Sequence, residues 1–193
     1  MNGAGGAIFF KYDINNTFPT FQGNITGSFI NNLAQNGGAI AFNGIDGNLN
    51  ATFIGNSATE VGGAIYFNKH DVTGNLTGIF INNTATTNIG GAIYMQNSAN
   101  LNVIRDCIFI NNGNNSISTA FGNVTAINCW FGNNATNYNI KPQVGDVSMS
   151  TWLFLNATAN PTKIIGKTSI IFKLDSYNDT SKQITSYNAS KTN

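Results

Sequence analysis

Residues 62–83 read GGAIYFNKHDVTGNLTGIFINN, and this stretch holds both halves of a unit that the rest of the chain repeats. The first half, Gly-Gly-Ala-Ile, starts at Gly62 and again at Gly5, Gly37 and Gly90, with spacings of 32, 25 and 28 residues along the chain. The second half, Phe-x-x-Asn, occurs as Phe29/Asn32, Phe53/Asn56, Phe80/Asn83, Phe109/Asn112 and Phe131/Asn134, with spacings of 24, 27, 29 and 22. One such tetrapeptide would carry no weight. Two motifs alternating in phase mark an internal repeat, and a repeat of this period without helices points to a solenoid.

Each unit reads as short strands broken by turns. The glycine pair allows a bend with positive φ. Ala64-Ile65-Tyr66-Phe67 supplies β-branched and aromatic strand formers. Asn43-Gly44-Ile45-Asp46-Gly47 is turn chemistry. No segment shows a helical period. The expected fold is therefore all-β, a single parallel β-helix of about five coils over residues 1–149, followed by a partial β-rich segment over 150–193.

Aligning the units on the phenylalanines tests this. Two residues before Phe29, Phe53, Phe80, Phe109 and Phe131 stand Gly27, Ala51, Gly78, Cys107 and Cys129, all small. Four residues before stand Ile25, Leu49, Leu76, Arg105 and Ile127, which alternation puts on the same inward face. The intervening Thr26, Asn50, Thr77, Asp106 and Asn128 are polar. Arg105 breaks the pattern, so a bulge is expected near Ile104–Arg105 that turns the guanidinium outward. In the other strand Ile8, Ile40, Ile65 and Ile93, with Phe10, Phe42, Phe67 and Met95, read as core. Asn32, Asn56, Asn83, Asn112 and Asn134 fall at the turn after the Phe strand. There they can bond up and down the stack and tolerate the left-handed conformation. Ser118-Thr119-Ala120-Phe121 takes the place of GGAI in a degenerate fifth coil, and Tyr138–Pro142 reads as a loop. Trp152-Leu153-Phe154-Leu155 and Thr168–Phe172 are strand-like, forming a cap or the start of a further domain.

Composition narrows the function classes. Charged residues make up 9% of the 193 residues, with net charge +1, too little basic surface to neutralise phosphates or dock on anionic lipid. The 41% hydrophobic content, with 14 Phe, is enough to build a core. No run approaches the roughly 18 apolar residues of a membrane span. Met1 leads straight into Asn2-Gly3-Ala4-Gly5-Gly6 without a secretory leader, and the array starts without a polar cap, so a fragment is expected.

GGAI alternating with Phe-x-x-Asn resembles the repeat region of the chlamydial polymorphic membrane proteins. The Asn- and Thr-rich composition adds to this. So does Cys129-Trp130-Phe131-Gly132-Asn133-Asn134 followed by Trp152-Leu153-Phe154-Leu155-Asn156-Ala157-Thr158-Ala159-Asn160-Pro161. Together these are similar to the adhesin-like surface proteins of methanogenic archaea. The resemblance covers about residues 3–165. It implies a right-handed parallel β-helix leading into immunoglobulin-like domains, of which 150–193 would be a truncated first part. It also implies an extracellular location at the cell surface or cell wall, and attachment to host or microbial cells or surface glycans. It defines no catalytic residues and no cofactor.

The residues that could carry chemistry are few. Cys107 and Cys129 share a column in adjacent coils; free thiols in a small-residue ladder are the expectation, a disulfide the alternative. Asp46 and Asp71 each lie nine residues after the first Gly of their GGAI, with Lys69 and His70 beside Asp71. They are weak candidates for a Ca²⁺ or acid–base site, and exposed turn residues are the plainer reading. The remaining acids are scattered, so a polysaccharide lyase or hydrolase is the second hypothesis and a passive surface spacer the third. No enzyme activity is expected. The column after the Ile holds Phe9, Ala41, Tyr66 and Tyr94. By alternation it points outward and offers Phe9, Tyr66 and Tyr94 as an aromatic strip for sugar stacking. Asn-x-Ser/Thr occurs about eleven times, and Asn24, Asn50, Asn75, Asn82, Asn123, Asn156 and Asn188 are glycosylation candidates.

Overall fold

The computed structural model describes residues 3–10, 21–68, 74–87, 89–96, 100–113, 115–121, 123–132, 140–142, 146–160, 169–178 and 183–186. All regular elements among them are β-strands. The two motifs build two separate parallel sheets. The GGAI sheet has six strands, in the order Ile8–Phe9, Ile40–Phe42, Ile65–Phe67, Ile93–Met95, Ile117–Thr119 and Ile140–Pro142. The FxxN sheet runs from Ile25–Ile30 through Leu49–Ile54, Leu76–Ile81, Asn100–Arg105 and Asn123–Cys129 to Asp146–Asn160. Leu33–Ala34, Ser57–Ala58 and Thr84–Ala85 form a short third face, and Phe21–Gln22 pairs Ile45–Asp46 at a corner. Successive visits to the same faces wind the chain into a parallel β-solenoid of about four turns.

The register is strict where the repeat is regular. Leu49 to Ile54 pair one for one with Ile25 to Ile30 on one side and Leu76 to Ile81 on the other. Stacking in register puts identical side chains one strand spacing apart, about 4.8 Å. The Phe53 and Phe80 rings accordingly stack at 4.9 Å with 6° between planes, and Phe29, Phe109 and Phe131 continue the column. Against it lie Ile40, Phe42, Ile65, Phe67, Ile93 and Met95, all buried. Each buried aromatic or aliphatic side chain contributes about 1.5–3 kcal/mol, so this interior column holds the coils together.

The glycine pair has two separate reasons. The first glycine is left-handed, with φ of 61° at Gly37, 65° at Gly62 and 60° at Gly90. The second is squeezed between backbones: a Cβ on Gly38 would lie 2.2 Å from the Gly63 carbonyl oxygen and 2.5 Å from that of Ser57.

The expected bulge is present. Ile104 pairs with Leu76, while Ile108 pairs with Ile79, so Arg105 and Asp106 together stand opposite Thr77. Asp106 takes φ 52°, and the 31% exposed Arg105 side chain brings Nε to 3.3 Å from Asp106 Oδ2. The next coil copies the bulge, with Asn128 at φ 51° and Ile104 paired with Ala126. This corrects the core column: Ala126 is fully buried there, and Ile127 is displaced into the bulge.

Two further expectations change. Ile117 pairs with Ile93, so Asn115-Ser116-Ile117 stand where Gly-Ala-Ile stands in the other coils, rather than residues within Ser118–Phe121, and Phe121 is 53% exposed. Ile140–Pro142, read as loop, is a strand of the GGAI sheet. The strand Asp146–Asn160 runs straight through residue 150. Its first part pairs parallel with Asn123–Cys129, and its second part pairs antiparallel with Ser169–Asn178, which pairs in turn with Gln183–Ser186. The tail is thus hydrogen-bonded into the same sheet as the coils.

The asparagine turn works differently from expectation in one respect. The left-handed residue is the one before the ladder position: Asn31, Asn82 and Asn111, with Gly55 in the second coil. The ladder itself is side-chain chemistry. Asn83 Oδ1 accepts from Asn56 N at 3.1 Å and Asn56 Nδ2 at 2.9 Å, while Asn83 Nδ2 donates to Asn112 Oδ1 at 2.8 Å and to the Phe53 carbonyl at 3.0 Å. Asn32 and Asn112 extend the same pattern, and Asn134 lies outside the described residues.

Candidate functional site

The outward column of the GGAI sheet is where the structure gathers binding chemistry. Phe9, Ala41, Tyr66 and Tyr94 stand in register on consecutive strands. They do not form one exposed strip. Phe9 is 49% exposed and Tyr66 is half-buried, but Tyr94 is 8% exposed and stacks on Tyr66 at 6.0 Å and 10°. Tyr94 is therefore a backing for Tyr66 rather than a contact surface. The glycines fit this: a Cβ on Gly37 would sit 3.0 Å from Tyr66 Cβ, so the bend leaves room for the ring of the next coil.

Where Ala41 replaces an aromatic, a cleft of about 340 Å³ opens between Phe9 and Tyr66. Its other walls combine the amides Gln35, Asn36, Asn43 and Asn68 with the apolar Phe10 and Phe42. Asn43, Asn68 and Gln96 occupy one position in three successive coils, one residue past Phe42, Phe67 and Met95. The Asn68 Nδ2 donates to Asn43 Oδ1 at 3.3 Å, and the Tyr66 hydroxyl donates to Asn68 Oδ1 at 3.1 Å. The Gln96 amide closes on the same hydroxyl. Asn43 is 2% exposed, and its Nδ2 is buried with no hydrogen-bond partner. At the rim Glu60 accepts from Gln35 Nε2 at 2.6 Å and Asn36 Nδ2 at 3.1 Å. Burial pushes the Tyr66 hydroxyl up to about 12, with Tyr94 and the Glu60 carboxylate adding to it.

These amides escaped the sequence reading, although a signal exists. Asn43, Asn68 and Gln96 each lie six residues after the first Gly of their GGAI. What the spacing does not carry is their burial.

The other candidates do not converge. Asp46 is exposed on the corner strand beside Gln22, and Asp71, with Lys69 and His70, lies outside the described residues. Among the described residues no group of three or more His, Cys, Asp or Glu could hold a metal ion. Cys107 and Cys129 are free and buried; burial pushes the Cys107 thiol well above its usual range, and the neighbouring Cys129 adds to it. No helix among the described residues is long and apolar enough to cross a membrane.

Of the glycosylation candidates, Asn24, Asn50, Asn75 and Asn82 are exposed, Asn123 and Asn156 fall on strands, and Asn188 lies outside the described residues. Asn24 and Asn75 flank a second, exposed ladder. The Asn48 backbone N donates to Asn24 Oδ1 at 2.9 Å, and Asn75 N donates to Asn48 Oδ1 at 3.0 Å.

Comparison of the chain with protein-family models, curated proteins and solved structures finds no match.

Proposed function

We propose that this chain is a non-catalytic attachment module of a cell surface or cell wall, acting outside the cell and engaging surface glycans. The observation that carries the reading is the cleft beside Phe9 and Tyr66, which combines aromatic ring faces with primary amides. Aromatic faces and planar donor–acceptor groups are what a sugar offers partners for: an apolar C–H face and a ring of hydroxyls. The described lining holds no paired carboxylates of the kind glycoside cleavage uses. The repeat resemblance to surface adhesins points the same way, and the exposed Asn-x-Ser/Thr sites suit a secreted glycoprotein.

The test is a glycan array and a whole-cell binding assay on the full chain, alongside a variant with Phe9→Ala and Tyr66→Ala. Binding to cells or glycans that falls in the variant supports the reading. A chain that binds no cell and no glycan would be a passive spacer instead.

A further inference from the structure

We infer that the cleft between Phe9 and Tyr66 selects a neutral saccharide, one ring held between the two aromatic side chains and read by the buried Asn43 amide. This rests on the glycan-attachment reading and makes it specific. Three observations carry it.

The first is steric. In the Phe column one aromatic ring fills one rung, with centroids 4.9 Å apart from Phe53 to Phe80. Phe9 and Tyr66 lie two rungs apart with Ala41 between them, about 9.6 Å by strand spacing. The rung at Ala41 therefore lacks one ring. A pyranose, flat on both faces and of similar thickness, fits the gap, and its polarised C–H bonds meet the negative ring faces. The volume of about 340 Å³ stands at the small end of the roughly 300–1,000 Å³ typical of ligand sites, which suits one or two sugar units.

The second is the direction of the hydrogen-bond chain. Asn68 gives its amide protons to Asn43, so its oxygen faces the Tyr66 hydroxyl and takes the single phenolic proton. The Tyr66 hydroxyl also lies against Gln96 Oε1. The chain of donors from Tyr66 through Asn68 runs toward Asn43. It ends on Asn43 Nδ2, which has no acceptor. A buried amide donor left unpaired is costly, and a ligand oxygen offsets that cost. The site thus asks for an acceptor, such as a sugar hydroxyl or an acetamido carbonyl.

The third is charge. The described lining contains no Lys, Arg or His, and the Glu60 carboxylate is bonded to the rim amides Gln35 and Asn36. A carboxylate or sulfate on the sugar would meet repulsion without a counter-charge. Lys11, next in sequence after Phe10, lies outside the described residues, so anionic sugars belong in the test.

The experiment titrates the full chain with neutral disaccharides (diacetylchitobiose, lactose, mannobiose) and anionic ones (sialyllactose, digalacturonate) by calorimetry and by NMR. Phe9→Ala and Asn43→Ser are measured in parallel, with circular dichroism melts as a fold control. Phe9 is half-exposed, so its variant keeps the fold even if Asn43→Ser does not. The expected result is binding of a neutral sugar, weakened at least tenfold by Phe9→Ala, with anionic sugars weaker than neutral ones. Preference for anionic sugars, or neutral binding untouched by Phe9→Ala, overturns the inference and leaves the attachment reading standing. Cell attachment without binding of any saccharide overturns it too, and shifts attachment to another surface. Loss of both cell and saccharide binding removes the two readings together.

Discussion

Replacing Asn83 by alanine measures what the buried ladder contributes. The side chain makes four hydrogen bonds: two accepted from Asn56 at 3.1 and 2.9 Å, one donated to the Phe53 carbonyl at 3.0 Å and one donated to Asn112 at 2.8 Å. Two of its partners keep an alternative. Asn56 Nδ2 still reaches the Phe29 carbonyl at 2.9 Å, and Asn112 Oδ1 still accepts from Asn83 N at 3.0 Å. The Asn56 backbone N–H, on a fully buried residue, loses the acceptor it has. An orphaned buried donor costs about 1–3 kcal/mol and each of the three other lost bonds about 0.5–1.5, so the sum is about 2.5–7.5 kcal/mol. Domains hold only about 5–15 kcal/mol in total, so this is a large fraction. With a urea slope of about 2 kcal/mol/M, the midpoint should fall by about 1–4 M in a melt followed by circular dichroism. Asn48→Ala is the matched control, since Asn48 makes the same type of ladder bonds in water with Asn24 and Asn75. It should cost under about 1 kcal/mol, because exposed partners exchange to water. Equal losses in the two variants would refute the argument that burial, rather than ladder geometry, sets the energy.

Gly38→Ala should abolish folding or lower stability by several kcal/mol, because its Cβ meets backbone oxygens of Gly63 and Ser57 at 2.2 and 2.5 Å that cannot swing aside; thermal melts read this directly. Cys107 and Cys129 should both resist iodoacetamide at neutral pH in the folded chain and both react in denaturant without reductant, as mass spectrometry would show, since they are fully buried free thiols and Cys107 ionises well above the usual range. Tyr66 should ionise near pH 12 against 10.0 for the free phenol, visible as a late step in the absorbance at alkaline pH. Its raised value means the folded chain holds that proton when the unfolded chain has lost it. The associated stability is therefore complete below about pH 10 and lost as pH climbs from there to about 12, and Tyr66→Phe should flatten that loss.

Most of the fold was legible because side chains on a strand alternate faces and a solenoid repeats that alternation, so each column confirms the others. Two of the slips share one cause. A bulge adds a residue inside a strand, so counting back from the Phe lands one position off. At Arg105 the error announced itself, because a charge cannot sit in a core column. At Ile127 the shifted residue was also apolar and nothing flagged it, although Ala126 fills the site. Ile117 was passed over for another reason: the glycines that mark the motif elsewhere are absent there, and only pairing with Ile93 identifies it. The cleft was half legible. Alternation put Phe9 and Tyr66 outward, but what covers an outward face is a tertiary matter. The burial of Tyr94 and the unpaired amide of Asn43 therefore emerge only when neighbouring coils are in place.

The account stands on coils stacked in register, and scalar couplings across hydrogen bonds in isotopically labelled protein test that directly by NMR. Couplings are expected from the amide nitrogen of Asn31 to the carbonyl carbon of Ile54, from Gly55 to Ile81 and from Asn82 to Ile110, in each case one coil apart. Couplings connecting neighbouring strands in antiparallel hairpins across residues 25–54 would contradict it.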